Sequence, residues 1–178
     1  MTMTRLRLAQ PMDVPAIQEL IARSARGLSA AYYTQEQTEA AIRYVFGVDS
    51  QLIADQTYYL IESERRPVAC GGWSRRRSLF GGDQTKTGPD PLLDPAADPA
   101  RVRAFFVDPR MARQGLGRQL INECVKAAMR GGFRAIELAS TLPGEPLYLA
   151  SGFIVVERFD LTLPGEVRLP LARMRREL

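Results

Sequence analysis

Polar and apolar positions alternate along the chain in short segments that read as strands and amphipathic helices in turn. Arg5 to Ala9 has the period of two of a half-buried strand. Asp13 has the character of a helix N-cap, Pro15 suits the first turn, and Ile17, Leu20 and Ile21 share one helical face. Gly27 to Tyr33 should break that helix. Thr34-Gln35-Glu36-Gln37 then fits a capping box that opens a second helix, running through Tyr44 and Val45 to a stop at Gly47. Tyr58 to Glu62 and Val68 to Ser74 read as two strands, and the charged turn Ser63 to Arg66 makes them an antiparallel hairpin.

Asp83 to Pro99 breaks the rhythm with four prolines and four aspartates in 17 residues. A connection of that length is either a functional lid or disordered. Val102 to Val107 is a short apolar strand ended by Asp108-Pro109. From Leu116, the residues Leu120, Ile121, Cys124, Val125 and Ala128 mark one face of a helix that stops at Gly131-Gly132. Ala135 to Ser140 forms a strand, Pro146 to Ala150 a short helix ending at Gly152, and Phe153 to Arg158 and Val167 to Met174 the closing strands. Pro170 argues for an edge or a bulge at its own position. Alternating strands and helices with no repeat of about 20 to 50 residues indicate a mixed α/β domain.

Length adds that 178 residues make one domain, within the usual span of about 100 to 200. Composition changes the chemistry more. The chain has no histidine, which excludes Ser/His/Asp and Cys/His catalysis and every imidazole metal site. Cys70 and Cys124 are too few for a Cys-rich zinc site or a disulfide framework; they read as small buried hydrophobes, and no metal is expected. No apolar run reaches the roughly 18 residues of a membrane span, so a soluble cytoplasmic protein with no membrane partner is expected. The formal charge of +4 divides into −1 over residues 1 to 100 and +5 over residues 101 to 178. That bias draws anions to the second part and is too weak to indicate nucleic-acid binding.

The segment with the most chemistry follows Val107: Arg113-Gln114-Gly115-Leu116-Gly117-Arg118, then a helix. Glycines let backbone approach a ligand, and the first N–H groups of a helix have no intrahelical partner. With the helix dipole and two guanidinium groups they make an anion site. Alone, this is equally an ordinary glycine turn with solvated arginines. Further along lies Pro146-Leu147-Tyr148-Leu149-Ala150-Ser151-Gly152-Phe153. A strand ending in Phe106-Val107-Asp108-Pro109, the Arg113 to Arg118 turn, an amphipathic helix, a strand and then Tyr-x-x-x-Gly-Phe together resemble the GNAT superfamily of N-acetyltransferases.

The resemblance covers Val102 to Phe153 closely and implies an α/β GNAT fold, a mixed, mostly antiparallel central sheet flanked by helices. It implies that the strand including Phe105, Phe106 and Val107 hydrogen-bonds the pantetheine arm of acetyl-CoA. The backbone of Arg113, Gln114, Gly115, Leu116, Gly117 and Arg118 would cradle the pyrophosphate, and Tyr148 would stand near the thioester sulfur as general acid. Two departures matter. Ala112 stands where the family usually has Gln or Arg, which removes a side-chain contact, and the strand lacks the glutamate base of some members. The second favours, as an alternative, a catalytically weak acyl-CoA-binding regulatory module.

Direct acyl transfer to an amine sets further demands. A lysine-like amine has a pKa of about 10.4, so a base or a water chain must take its proton. Glu137 and Glu62, on predicted strands, are the carboxylate candidates, with solvated strand carboxylates as the plainer reading. The oxyanion needs a fixed donor, and a backbone N–H near Val107 would serve if the strand bulges there. Tyr148 can protonate the leaving thiolate. Tyr32 and Tyr33, and Trp73 beside Arg75-Arg76-Arg77, are candidates for an acceptor pocket or else pack in the core. The acceptor is expected to be a small-molecule or peptide amine, and a homodimer is compatible with the chain.

Overall fold

The computed structural model describes residues 3–178. Its seven strands are β1 (Thr4–Leu8), β2 (Tyr58–Ser63), β3 (Arg66–Ser74), β4 (Ala100–Val107), β5 (Ala135–Thr141), β6 (Ile154–Leu163) and β7 (Val167–Glu177). They form one sheet in the order β1-β2-β3-β4-β5-β7-β6. Neighbours run antiparallel except β4 and β5, whose parallel pairing covers only Ala100 with Ile136 and Arg101 with Glu137. Past Arg101 the two strands separate. The mixed, mostly antiparallel sheet expected from the sequence is therefore present, and it is split at its middle.

Helices cover both faces. α1 (Val14–Ser29) and α2 (Gln35–Tyr44) lie on one side, joined to β2 by the short α3 (Ser50–Ala54); α4 (Leu116–Arg130) lies on the other, and α5 (Glu145–Ala150) follows β5. The period of two decides which residue meets which helix. On β2, Leu60 packs with Ile17, Leu20 and Ile21 of α1, while Ile61 packs with Leu116 and Leu120 of α4. Each such fully buried aliphatic side chain contributes about 1.5 to 3 kcal/mol.

Thr34 caps α2 as a capping box, its hydroxyl accepting from the Gln37 N–H at 3.1 Å and its own N–H donating to the Gln37 side chain at 2.9 Å. Asp13 behaves differently. A 3₁₀ turn at Pro11–Asp13 leads into α1, and the Asp13 carboxylate accepts from the Gln10 N–H and from Arg7 instead of capping the helix. Gly27 does not break α1, which runs on to Ser29; a Cβ at that position would collide with the Pro109 ring. The glycine permits close packing of helix on turn. β6 and β7 are longer than the periodicity indicates because both run on into a hairpin whose far end buries Leu163 and Leu169 in a cluster with Ala41 of α2. β7 lies inside the sheet, yet its pairing with β5 ends at Leu171, so Pro170 stands on a locally free edge as proline requires.

The proline-rich connection is anchored as a strap. Leu93 is buried and its N–H donates to the Arg75 carbonyl, and Arg76, paired with Asp55 at 2.7 Å, donates to the Asp90 carbonyl at 3.0 Å. Beneath it Arg103, with no exposed side-chain surface, donates to Asp49 at 2.9 Å and to Asp90 at 2.8 Å. Lys86 lies 3.5 Å from Asp49. This buried ionic cluster ties the strap to β4 and to the start of α3.

Candidate active site

β4 bulges before it parts from the sheet. Cys70 pairs with Phe106 and Gly72 with Arg103, so Ala104 and Phe105 together oppose Gly71. Ala104 takes a left-handed conformation, φ 56°, and its carbonyl accepts from the Tyr58 hydroxyl at 3.2 Å and the Cys70 thiol at 3.7 Å. Burial pushes the Cys70 thiol up to about 12, so it remains a neutral donor. Gly71 is needed there because a Cβ would run into the Phe105 ring.

The separation of β4 from β5 opens a cavity of about 680 Å³. At one end lies the turn into α4. Arg113 (φ 60°) and Gly115 (φ 85°) are both left-handed, which turns the chain so that the helix N-terminus faces the cavity. Among the described residues, no acceptor meets the N–H groups of Gln114, Gly115, Leu116, Gly117 or Arg118. Arg113 and Arg118 are exposed and form no ion pair among the described residues. Five unpartnered amides, a helix dipole and two free guanidinium groups suit a pyrophosphate. Gly117 is closely packed, with a Cβ there falling 2.7 Å from Leu147.

Tyr148 reaches the cavity from α5. Its ring packs edge-to-face on Phe105, centroids 6.2 Å apart, and on Phe153 at 5.8 Å. Among the described residues no hydrogen bond engages its hydroxyl, and burial raises its pKa, with Cys124 adding to the shift. The phenol stays protonated throughout the neutral range. Below the site, the Arg110 guanidinium, helped by Arg23, holds the Asp108 carboxyl down to about 2, fixing the end of β4.

Residues 16–153 match the model of the Acetyltransferase (GNAT) family. The chain belongs to that family. No curated protein sequence matches the chain. Solved structures share its fold at low identity. The GCN5-related N-acetyltransferase from Rhodopseudomonas palustris has a TM-score of 0.71 at 18% identity, covering 100% of this chain and 98% of its own. The PaiA N-acetyltransferase from Thermoplasma acidophilum, solved in complex with coenzyme A, gives 0.66 at 14%, covering 99% of each chain. YncA from Salmonella typhimurium, solved with its cofactor acetyl-CoA, gives 0.65 at 17%, covering 98% of this chain and 94% of its own. By family this GNAT protein is an acyltransferase, and no helix among the described residues is long and apolar enough to cross a membrane.

The GNAT cavity gathers many of the residues singled out in the sequence: Phe105, Phe106, Val107, Arg113, Gly115, Leu116, Gly117, Arg118, Tyr148 and the half-exposed Tyr32 all line it. Gln114 does not. Tyr33 is buried outside it, its hydroxyl donating to the Pro170 carbonyl at 2.6 Å and accepting from the Leu142 N–H at 2.9 Å. Trp73 is also core, packed edge-to-face on Phe133 with Arg75 stacked over its ring. Glu137 lies away from the cavity, held by Arg101 at 3.3 Å, Arg175 at 3.2 Å and Arg173 at 3.5 Å. Three guanidinium groups take up its carboxylate oxygens. Glu62 is spent on Arg7 at 2.6 Å. The Val107 N–H is already occupied by the Ser24 hydroxyl at 3.1 Å, and the bulge sits earlier, at Ala104 and Phe105. Phe46, Leu79 and Phe80 were not anticipated as lining residues; they come from segments with no local motif.

Proposed function

We propose that this protein transfers the acetyl group of acetyl-CoA to a primary amine by direct attack, with no covalent enzyme intermediate. The observation that carries this reading is a single cavity joining the unpartnered amides before α4 to the Tyr148 phenol across the split between β4 and β5. Beyond Arg101 the edge of β4 that faced β5 has no strand partner, so those of its backbone groups that no side chain engages, which leaves out the Val107 N–H and the Ala104 carbonyl, are available to the amides of a pantetheine arm. The pyrophosphate would sit on the amides of Gln114 to Arg118 between the two arginines.

In the reaction the amine nitrogen bonds to the carbonyl carbon, the C–S bond breaks, and one proton passes from nitrogen to sulfur. Tyr148 is the donor available to the leaving sulfur. The amides of the bulge at Ala104 to Phe106 are the candidates for holding the developing oxyanion. With Glu137 and Glu62 engaged elsewhere, the amine's proton leaves through water. The same shortage of a carboxylate favours a second reading, an acyl-CoA-binding regulatory module with weak turnover.

Measuring free thiol released from acetyl-CoA across a panel of amines separates the two: the enzyme releases thiol in proportion to acceptor, the module binds saturably and releases none. The cradle has its own test. Gly117→Phe, which must displace Leu147, should weaken acetyl-CoA binding at least about tenfold by calorimetry, a loss of about 1.4 kcal/mol. Normal affinity in a folded variant counts against the cradle.

A further inference from the structure

We infer that the acceptor is a weakly basic amine on an apolar body, an arylamine in chemical class; this rests on the acetyl-transfer reading above. Among the described residues, the only charged ones lining the cavity are Arg103, whose guanidinium is fully buried, Arg113 and Arg118, and the only other titratable ones are Tyr32 and Tyr148. No Asp, Glu or Lys lines it, and the chain has no histidine. Asp49 and Asp90 lie behind Arg103 and are bound to it, outside the wall. With Arg113 and Arg118 facing the pyrophosphate and Arg103 bound to its two carboxylates, an alkylammonium would enter a partly desolvated space with no carboxylate to face it, an unfavourable transfer.

The missing base points the same way. At pH 7 only about 1 in 2,500 molecules of a lysine-like amine is neutral, so an enzyme with no proton acceptor at hand wastes nearly all of that substrate. An arylamine is already neutral and attacks without prior deprotonation. Its nitrogen forms the C–N bond as the C–S bond breaks, and the proton it sheds is matched by the one the thiolate gains.

The apolar part of the cavity lining also suits such a body. Leu28, Tyr32, Phe46, Leu79 and Phe80 belong to it, and Phe46 packs edge-to-face on Phe106 at 5.6 Å. The Gly82 N–H donates to the Val45 carbonyl at 2.8 Å, tying the residues just ahead of the strap to the end of α2, and both segments line the cavity. Aromatic faces accept a flat ring.

The test compares two isomers, 4-ethylaniline and 2-phenylethylamine, with spermidine and an alanine-leading tripeptide, by thiol release from acetyl-CoA with the full chain. At pH 7 the kcat/KM for 4-ethylaniline should exceed that for 2-phenylethylamine at least tenfold. From pH 7 to 9 the arylamine should stay level while 2-phenylethylamine gains about tenfold per pH unit, following its neutral fraction. Tyr32→Glu places a carboxylate at an exposed part of the wall and should move the preference at least tenfold toward 2-phenylethylamine. Equal or better use of 2-phenylethylamine, spermidine or the tripeptide, with acetyl-CoA binding intact, overturns the arylamine assignment alone. Failure to bind acetyl-CoA overturns the transfer reading itself.

Discussion

Tyr148→Phe is expected to lower kcat about a hundredfold while leaving the Kd for acetyl-CoA nearly unchanged. The hydroxyl is the group lost, because the ring's packing on Phe105 and Phe153 survives in phenylalanine. General-acid assistance is worth about 10² to 10⁴ in rate, and the lower figure suits a phenol whose pKa burial has raised. Such a phenol gives up its proton reluctantly in the ground state. Its contribution is a hydrogen bond to a sulfur that becomes strongly basic only as the C–S bond breaks, so the effect belongs in kcat and not in binding. Steady-state kinetics with calorimetry checks this. An unchanged kcat would remove Tyr148 from the chemistry and leave it an aromatic filling the junction between α5 and the sheet.

Arg103→Met should cause the largest loss of stability of any single change at the site. Arg103 is fully buried between Asp49 and Asp90, and methionine keeps much of its volume while leaving both carboxylates with Lys86 as their one remaining cation among the described residues, beside the N–H groups of Gln51 and Ser78. Removing one partner of a buried pair costs about 3 to 5 kcal/mol. For a chain of this size that corresponds to a Tm lower by roughly 6 to 20 °C in a thermal melt. A loss below about 1 kcal/mol would mean that the cluster is well hydrated and the strap is held by Leu93 and Arg76 instead.

The features legible in the sequence are those whose causes are local. The capping box at Thr34, the glycine turn before α4 and the apolar face of α4 depend on residues within a few positions of one another. The bulge in β4 does not. Its position at Ala104 depends on Tyr58 and Cys70, which the fold brings in from β2 and β3 to hold one carbonyl. Gly27 reads as a helix breaker until Pro109 is seen lying against it. Tyr33 and Trp73 have the composition of pocket aromatics, yet both serve as fastenings, one at the open end of β7 and one under β3. Glu137 illustrates the same limit for charge: Arg101, Arg173 and Arg175 come from β4 and β7, and only strand register shows that all three converge on it. The apolar cavity lining draws on Phe46, just past α2, and on Leu79 and Phe80, ahead of the strap. No periodicity marks them.

The central claim is that acetyl-CoA binds with its pyrophosphate on the amides that open α4. Titrating ¹⁵N-labelled protein with acetyl-CoA and following backbone amide shifts tests it most directly. The amides of Gly115, Gly117 and Arg118 should move furthest and saturate together. Saturable binding of acetyl-CoA that leaves those three amides in place would contradict it.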